Sequence, residues 1–394
     1  MLEEATVFEA GTHGYHTFRI PALLLAGDGT LLAFAEGRRD STGDAGRIDL
    51  VLRRSADGGR TWDPLTVVGT GRDLTVGNPS PVVDPATGDV VVLSTCAAAD
   101  ASEERILAGR VGPHEGRRVR VQRSTDAGRT WSAPVDVTET TKRPDWRWYA
   151  TGPGHGVTLR SRPFTGRLVV PANHSAPGTG YGGHLLLSDD GGRSWRIGAV
   201  DPGSPGGSAG EEIRPNETAV AELPDGRVYA ATRNQAGQGT SRAATRAHAW
   251  SSSGGEEFDR PYAPVAGLVA PVVQCSVLAC PNPVLDTAGD DYADDNNNNS
   301  SNDRTGGRAA LLVFAGPDDV RERRNLTLRV SADAGHTWAR SLVVWPGPAA
   351  YSDLADLGSG PDRRRGAEAG VLHEAGERSA YERIRFVRVS VRDL

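Results

Sequence analysis

One eight-residue phrase recurs five times and dictates what this chain can fold into. Ser55-Ala56-Asp57-Gly58-Gly59-Arg60-Thr61-Trp62 returns as Ser124 to Trp131, Ser188 to Trp195 and Ser331 to Trp338, all of the form S-x-D-x-G-x-[T/S]-W. A weaker copy, Ser251 to Phe258, has Ser253 in place of the Asp and Phe258 in place of the Trp. The copies start about 65 residues apart until the last step, which is longer. A repeat at this period means an array of equivalent supersecondary units. Within each copy the Asp can accept backbone N–H groups two residues on, the Gly tolerates positive φ, and the aromatic can pin the turn to the sheet beneath it. The octet is therefore expected to be a turn.

Between the octets, short apolar runs such as Ala22 to Leu25, Leu31 to Ala35, Ile48 to Leu52 and Val228 to Arg233 are broken by Gly, Pro or Asp. None carries a 3.6-residue apolar period, and 49 Gly with 25 Pro suit many short strands joined by tight turns. The expectation is an all-β chain with few helices, folded as one unit over residues 1–394. Each octet would lie between the two outer strands of a four-stranded blade. Residues 286–307, with the run Asn296 to Asn299, have almost no apolar content and read as a disordered surface insertion that accounts for the long last step.

Composition narrows the partners. A net charge of −6 gives no basic footprint for nucleic acid. No run of about 18 apolar residues exists to span a membrane. Cys96, Cys275 and Cys280 form neither a disulfide framework nor a zinc site, and nine histidines lack metal-ligand spacing. Met1 to Ala5 has no basic or apolar leader region, which leaves either an internal protein or one whose leader has been removed.

Phe18-Arg19-Ile20-Pro21 places an Arg inside an apolar strand opening. Such an Arg needs either a structural carboxylate or a ligand anion, which its fork can grip through two parallel bonds. This tetrapeptide resembles the F/Y-R-I-P motif of bacterial exo-α-sialidases, and the octet resembles their Asp box. Further matches follow in order from Phe18 to Val391. The resemblance implies a six-bladed β-propeller with its site at the axis, on the face opposite the octets.

The resemblance also implies a set of site residues. Arg19, Arg233 and Arg323 match three arginines that clamp the sialic acid carboxylate, Arg323 being selected by R-x-N-L-T with Arg324 as the fallback. Asp44, on a loop before the first octet, fits the acid/base position better than Asp40 or Asp49. Arg38 resembles an additional sugar-contacting Arg, with Arg39 beside it. Asn216-Glu217-Thr218-Ala219-Val220-Ala221-Glu222-Leu223 resembles N-E-x-x-V-x-E-L and makes Glu217 the activating carboxylate. Tyr351 matches the nucleophile, and Glu374 the Glu that holds the first Arg. His155 and Asn173-His174 are candidates for the pocket rim, where an N-acyl or glycerol group would lie.

These residue types belong together for a chemical reason. The anomeric carbon of sialic acid bears a carboxylate, which guanidinium groups fix and which repels a carboxylate nucleophile. A neutral Tyr, activated by Glu217, avoids that repulsion, and sialidases depart in this way from the two-carboxylate scheme. No metal or organic cofactor is required. The implied activity is retaining hydrolysis of terminal sialic acids from sialylated glycans, glycoproteins or glycolipids. Transfer to another sugar and preference for the related acid Kdn are alternatives within this chemistry. A non-catalytic carbohydrate-binding propeller is the alternative outside it. Such substrates favour an exported protein, with a cytoplasmic one as the alternative.

Overall fold

A computed structural model describes residues 3–203, 212–237, 245–281, 310–359 and 367–394. The stretch 286–307, expected to be an insertion, lies outside these described residues. Among the described residues the apolar runs become 24 strands arranged as six antiparallel blades of four. Strand β1 (Glu3–Glu9) precedes blade 1, which is β2 (Thr17–Leu25), β3 (Leu31–Arg38), β4 (Ile48–Ser55) and β5 (Thr66–Gly69). Blade 2 is β6 (Leu74–Val83), β7 (Val90–Ala98), β8 (Arg118–Ser124) and β9 (Val135–Asp136). In blade 3 the inner strand comes in two pieces, β10 (Tyr149–Thr151) and β11 (Val157–Thr158), both pairing with β12 (Leu168–Ala176). Strands β13 (Gly180–Ser188) and β14 (Arg196–Asp201) complete it.

Blade 4 is β15 (Pro215–Glu222), β16 (Val228–Asn234), β17 (Arg246–Ser251) and β18 (Ala263–Pro264), and blade 5 begins with β19 (Ser276–Pro281), β20 (Ala310–Pro317) and β21 (Arg324–Ser331). Strand β22 (Arg340–Ser359) then serves two blades. It pairs with β21 up to Pro348 and, from Ala349 on, with β23 (Ala367–Ala375). It is thus the outer strand of blade 5 and the inner strand of blade 6. Beyond β23 lies β24 (Arg383–Ser390), and β1 pairs with it antiparallel, so the N-terminal strand closes the ring. Two short helices, α1 (Glu103–Leu107) and α2 (Thr138–Thr141), sit in connections. Apolar side chains fill the spaces between blades, as with Leu23, Val51, Leu372 and Phe386 between blades 1 and 6.

Every octet follows the third strand of its blade, so the β3–β4 and β7–β8 connections lie on the opposite face. The octet is closed by its own polar groups. In the first copy Asp57 accepts from the Arg60 and Thr61 N–H groups (3.0 and 2.9 Å) and the Thr61 hydroxyl (2.6 Å), while Ser55 Oγ accepts the Gly59 N–H at 2.8 Å. In the weak copy Ser253 Oγ accepts the Glu257 N–H (3.0 Å) and lies 3.3 Å from Ser251 Oγ, either hydroxyl being able to donate. Of the aromatics expected on the sheet beneath, Trp338 does meet Phe314 of its own blade 5, edge-on at 5.7 Å, whereas two other copies pack toward the preceding blade. Trp62 meets Phe386 of blade 6 edge-on at 5.5 Å, and Trp131 meets Phe34 of blade 1 at 5.8 Å. The carbonyl at the fourth octet position always accepts from the preceding blade. Arg388 reaches Gly58, Arg54 reaches Ala127, Arg123 reaches Gly191, Arg167 reaches Gly254, and the Trp250 indole reaches Ala334. A side chain on Gly59 (φ +92°) would strike the Phe386 ring, so the fifth position must be bare as well as left-handed.

These turns make the ring acid-sensitive. The hydrogen bonds from Thr61 hold the Asp57 carboxyl at about 2, and those from the equivalent Thr130, Ser194 and Thr337, against some desolvation, hold Asp126, Asp190 and Asp333 at about 2. Because the folded values lie below the ordinary carboxylate value, their contribution is complete above about pH 4 and is lost as pH falls toward 2. The melting temperature is expected to be flat from pH 7 to about 5 and to drop steeply below 4. Asp57→Asn should flatten part of that drop; an acid limb unchanged by this substitution contradicts the assignment.

Candidate active site

The inner strands deliver their first residues to one end of the axis. In β2 a bulge between Arg19 and Ala22 turns the backbone, and Ile20 sits at φ +57°, a conformation costing a β-branched residue roughly 1–2 kcal/mol. The strain is held by Glu374 at the end of β23, fully buried, whose Oε1 accepts the Ile20 N–H at 3.0 Å. The same carboxylate accepts Arg19 Nε (3.1 Å) and Nη2 (3.4 Å), and the Tyr351 N–H at 3.1 Å. One buried carboxylate thereby fixes blade 1 and the switch point of β22 together, and turns Arg19 Nη1 toward the cavity and Asp44.

Around that anchor the predicted residues converge. A cavity of about 140 Å³ is lined by Arg19, Arg38, Asp44, Glu217, Arg233, Arg323 and Tyr351. Arg324 lies outside it, exposed and paired with Glu322 at 3.5 Å. Tyr351 Oη donates to Glu217 Oε1 at 2.5 Å, and Arg233 Nη1 donates to Glu217 Oε2 at 2.8 Å. Arg323 donates to the Tyr381 hydroxyl (3.0 Å) and the Val272 carbonyl (3.2 Å). Burial, reinforced by the Glu217 charge, pushes the Tyr351 phenol well above its ordinary value, with Arg233, Arg19 and Arg323 pulling the other way. Asp44 sits at the mouth with 68% of its side chain exposed, 2.8 Å from Arg38 Nη1 and 3.6 Å from Arg19 Nη1. Desolvation raises its carboxyl, but Arg38 and Arg19 outweigh it and hold the group below the usual carboxylate range. Arg38 is itself oriented by Glu36, at 3.0 Å from Nε and 2.7 Å from Nη2.

Other candidates go elsewhere. Asp40 is tied to Arg47 on the surface, and Asp49 is buried in β4 with Arg39 (2.5 Å) and the Tyr15 hydroxyl (2.7 Å). The two histidines expected at the rim are not there. His174 stacks on Trp146 at 3.7 Å inside the protein. His155 is bound through Nδ1 to Asp353 (2.8 Å) and lines a separate cavity of about 510 Å³ at the octet end of the axis. Conversely, Glu36, Asn78, Glu103, Arg117 and Trp148 line the candidate site without having been singled out by any motif. Each comes from blade 1, 2 or 3 and reaches the cavity only through the closure of the ring.

Comparison with known proteins bears on this arrangement. Residues 29–361 match the model of the BNR repeat-like domain. The chain is 31% identical to Sialidase-2 of Mus musculus across 98% of its own length and 95% of the mouse protein. It belongs to the sialidase family. This family member is also 31% identical to the sialidase of Micromonospora viridifaciens across 94% of its length, and 35% identical to the exo-alpha-sialidase of Aspergillus fumigatus across 67%. It spans only 52% and 61% of those two relatives. Among solved structures, the Hadza microbial sialidase superposes over 99% of this chain and 69% of its own, with a TM-score of 0.79 at 24% identity. The intramolecular trans-sialidase from Ruminococcus gnavus does so over 99% and 98%, with a TM-score of 0.73 at 18% identity. At these identities the likeness establishes the β-propeller, which is common to a hydrolase and a transferase.

Proposed function

We propose that this chain is an exo-α-sialidase that cleaves terminal α-linked sialic acids from glycoconjugates with retention of configuration. The observation that carries the reading is the 2.5 Å bond from the Tyr351 hydroxyl to Glu217, set among Arg19, Arg233 and Arg323. The three guanidiniums take the substrate carboxylate, which orients the anomeric carbon over the Tyr351 oxygen. As Tyr351 attacks, its proton passes to Glu217, and a neutral phenol reaches a carbon that would repel a carboxylate. The glycosidic C–O bond breaks and the leaving oxygen takes a proton from Asp44. In the second half Asp44 removes a proton from water, the water oxygen replaces the tyrosyl oxygen, and Glu217 returns the proton to Tyr351.

Asp44 must be protonated for the first step, although in the free site Arg38 and Arg19 hold it ionised. A substrate carboxylate on Arg19 weakens that hold, and a sugar over the mouth removes water from a side chain otherwise 68% exposed. Both changes raise the carboxyl toward neutral pH.

Hydrolysis of a fluorogenic α-sialoside tests the reading, and proton NMR of the first sugar released reports its anomer. Absence of turnover despite sialoside binding would favour the carbohydrate-binding alternative. First release of the β-anomer contradicts retention. The carboxylate clamp has its own test: Arg323→Ala is expected to raise KM about 10- to 100-fold, the value of a charge-assisted pair. Arg324→Ala, on an exposed ion pair, is expected to change it less than about twofold.

A further inference from the structure

Of the 44 lysines and arginines in this chain a single one is a lysine, Lys142. It follows α2 in the connection from blade 2 to blade 3, its backbone N–H donating to the Thr138 carbonyl at 2.9 Å. No carboxylate lies beside its ammonium among the described residues. Nζ donates instead to two backbone carbonyls, that of Arg117 at 2.8 Å and that of Arg147 at 3.1 Å. Burial, to which the Arg117 charge adds, brings the ammonium down to about 8. Near that pH about half of it is free amine, whereas an ordinary lysine is almost wholly charged there.

The two carbonyls belong to the backbone behind one wall of the candidate site. Arg117 immediately precedes β8 of blade 2, and Arg147 immediately precedes Trp148, in the run that leads into β10 of blade 3. Arg117 and Trp148 both line the cavity, where the guanidinium lies over the indole, its Cζ 4.3 Å from the ring centroid. Lys142 thus joins the two backbones whose side chains meet in the cavity. The Arg147 N–H donates to the Ser175 carbonyl (2.8 Å) and the Trp148 N–H to Ser175 Oγ (3.0 Å), which fix Trp148 to its own blade. The ammonium ties it to blade 2. A compact ammonium presents three donors around one point and serves two converging carbonyls, a task for which a flat guanidinium fork is less suited.

Resting on the sialidase reading above, we propose that Lys142 is a positioning residue, whose ammonium holds the wall made by Arg117 and Trp148 in the shape that receives the sugar. The reacting groups stand elsewhere, Asp44 in blade 1, Glu217 in blade 4 and Tyr351 in blade 6. Loss of the ammonium therefore loosens the binding of the sugar and leaves the chemical step near its normal rate, an effect on KM and not on kcat.

Lys142→Met keeps the length of the side chain and removes its charge and donors. Its KM for a 4-methylumbelliferyl α-sialoside, a quantity independent of the folded fraction, is expected to rise about tenfold, the value of one lost hydrogen bond to a charged group. Its kcat is expected to stay within about twofold of wild type. Lys142→Arg, which restores charge and donors on a flatter head, is expected to recover part of the loss. A lone lysine also permits a test on the unmutated chain. Acetic anhydride, followed by hydroxylamine to free the tyrosines, acetylates Lys142 and the terminal amine. This treatment is expected to raise the KM of the wild type as the methionine substitution does, and to leave the KM of Lys142→Met unchanged. A methionine variant with KM within about twofold of wild type, or with its loss on kcat, overturns the proposal. So does complete acetylation of Lys142, measured by peptide mass, without effect on KM. Calorimetry with an unreactive sialic acid analogue separates the two claims. A wild type that binds the analogue but cleaves nothing overturns the sialidase reading alone, and the Kd of the variants then judges the clamp. A wild type that neither binds nor cleaves overturns both.

Discussion

Tyr351→Phe is expected to fold as the wild type does and to lose α-sialoside hydrolysis by at least about a thousandfold, as when a covalent nucleophile is removed. The substitution deletes one oxygen. The Tyr351 backbone N–H still reaches Glu374 at 3.1 Å and the ring still lies near Arg19, whose Cζ is 5.1 Å from its centroid. Glu217 retains Arg233 at 2.8 Å. Substrate binding should consequently persist, with the loss falling on kcat. The measurement is steady-state turnover beside binding of an unreactive sialic acid analogue by calorimetry. Undiminished kcat sinks the nucleophile assignment, and lost binding shifts Tyr351 to a purely structural role.

The second large effect concerns a residue with no part in the chemistry. Asp353 is 1% exposed, two residues after Tyr351 on the inner strand of blade 6. Its Oδ2 accepts the Leu23 N–H of blade 1 (2.8 Å) and the His155 N–H of blade 3 (2.9 Å). Its Oδ1 takes His155 Nδ1 and the Ser276 hydroxyl of blade 5, both at 2.8 Å. Burial lowers the His155 pKa, but the Asp353 charge more than offsets this and leaves it raised. Asp353→Ala strands donors from three blades at the axis and is expected to cost about 3–5 kcal/mol, or roughly 4–6 °C in Tm by calorimetry for a chain of this length. Asp353→Asn keeps one acceptor and should lose less. A melting temperature within 1 °C of wild type for the alanine variant shows that the axis is held by other means.

The octets and short strands were legible because they are local. A turn closed within eight residues, as by Ser55 and Asp57, declares itself wherever it occurs. Arg19, Glu217 and Tyr351 were legible through their motifs. What the sequence hides is juxtaposition. Arg117 stands in a basic pair, Arg117-Arg118, that reads as surface charge, and only ring closure buries one of them beneath the cavity. His155, in a Gly-rich turn, gives no sign of the carboxylate 198 residues away. Arg323 and Arg324 differ by one position, yet one reaches the cavity and the other solvent.

The pairing of each octet with the blade before it makes the propeller a hoop with six seams. Octets close the seams between blades 6 and 1, 1 and 2, 2 and 3, 3 and 4, and 4 and 5, and the unbroken β22 crosses the one between 5 and 6. Four of the five octet seams depend on an Asp inside the turn. The seam between blades 3 and 4 has Ser253 there, but Glu256 of the same octet reaches Arg167 at 2.9 Å and Arg196 at 2.5 Å, both of blade 3. Part of that hold is the half-exposed Arg196–Glu256 pair, which mobile ions screen more than that of the buried Arg167, whereas the internal bonds of the other turns lie within one short segment and respond less to salt. Brine and acid therefore pull at different places on the hoop, and the remaining seam is crossed by β22, the strand that carries Tyr351.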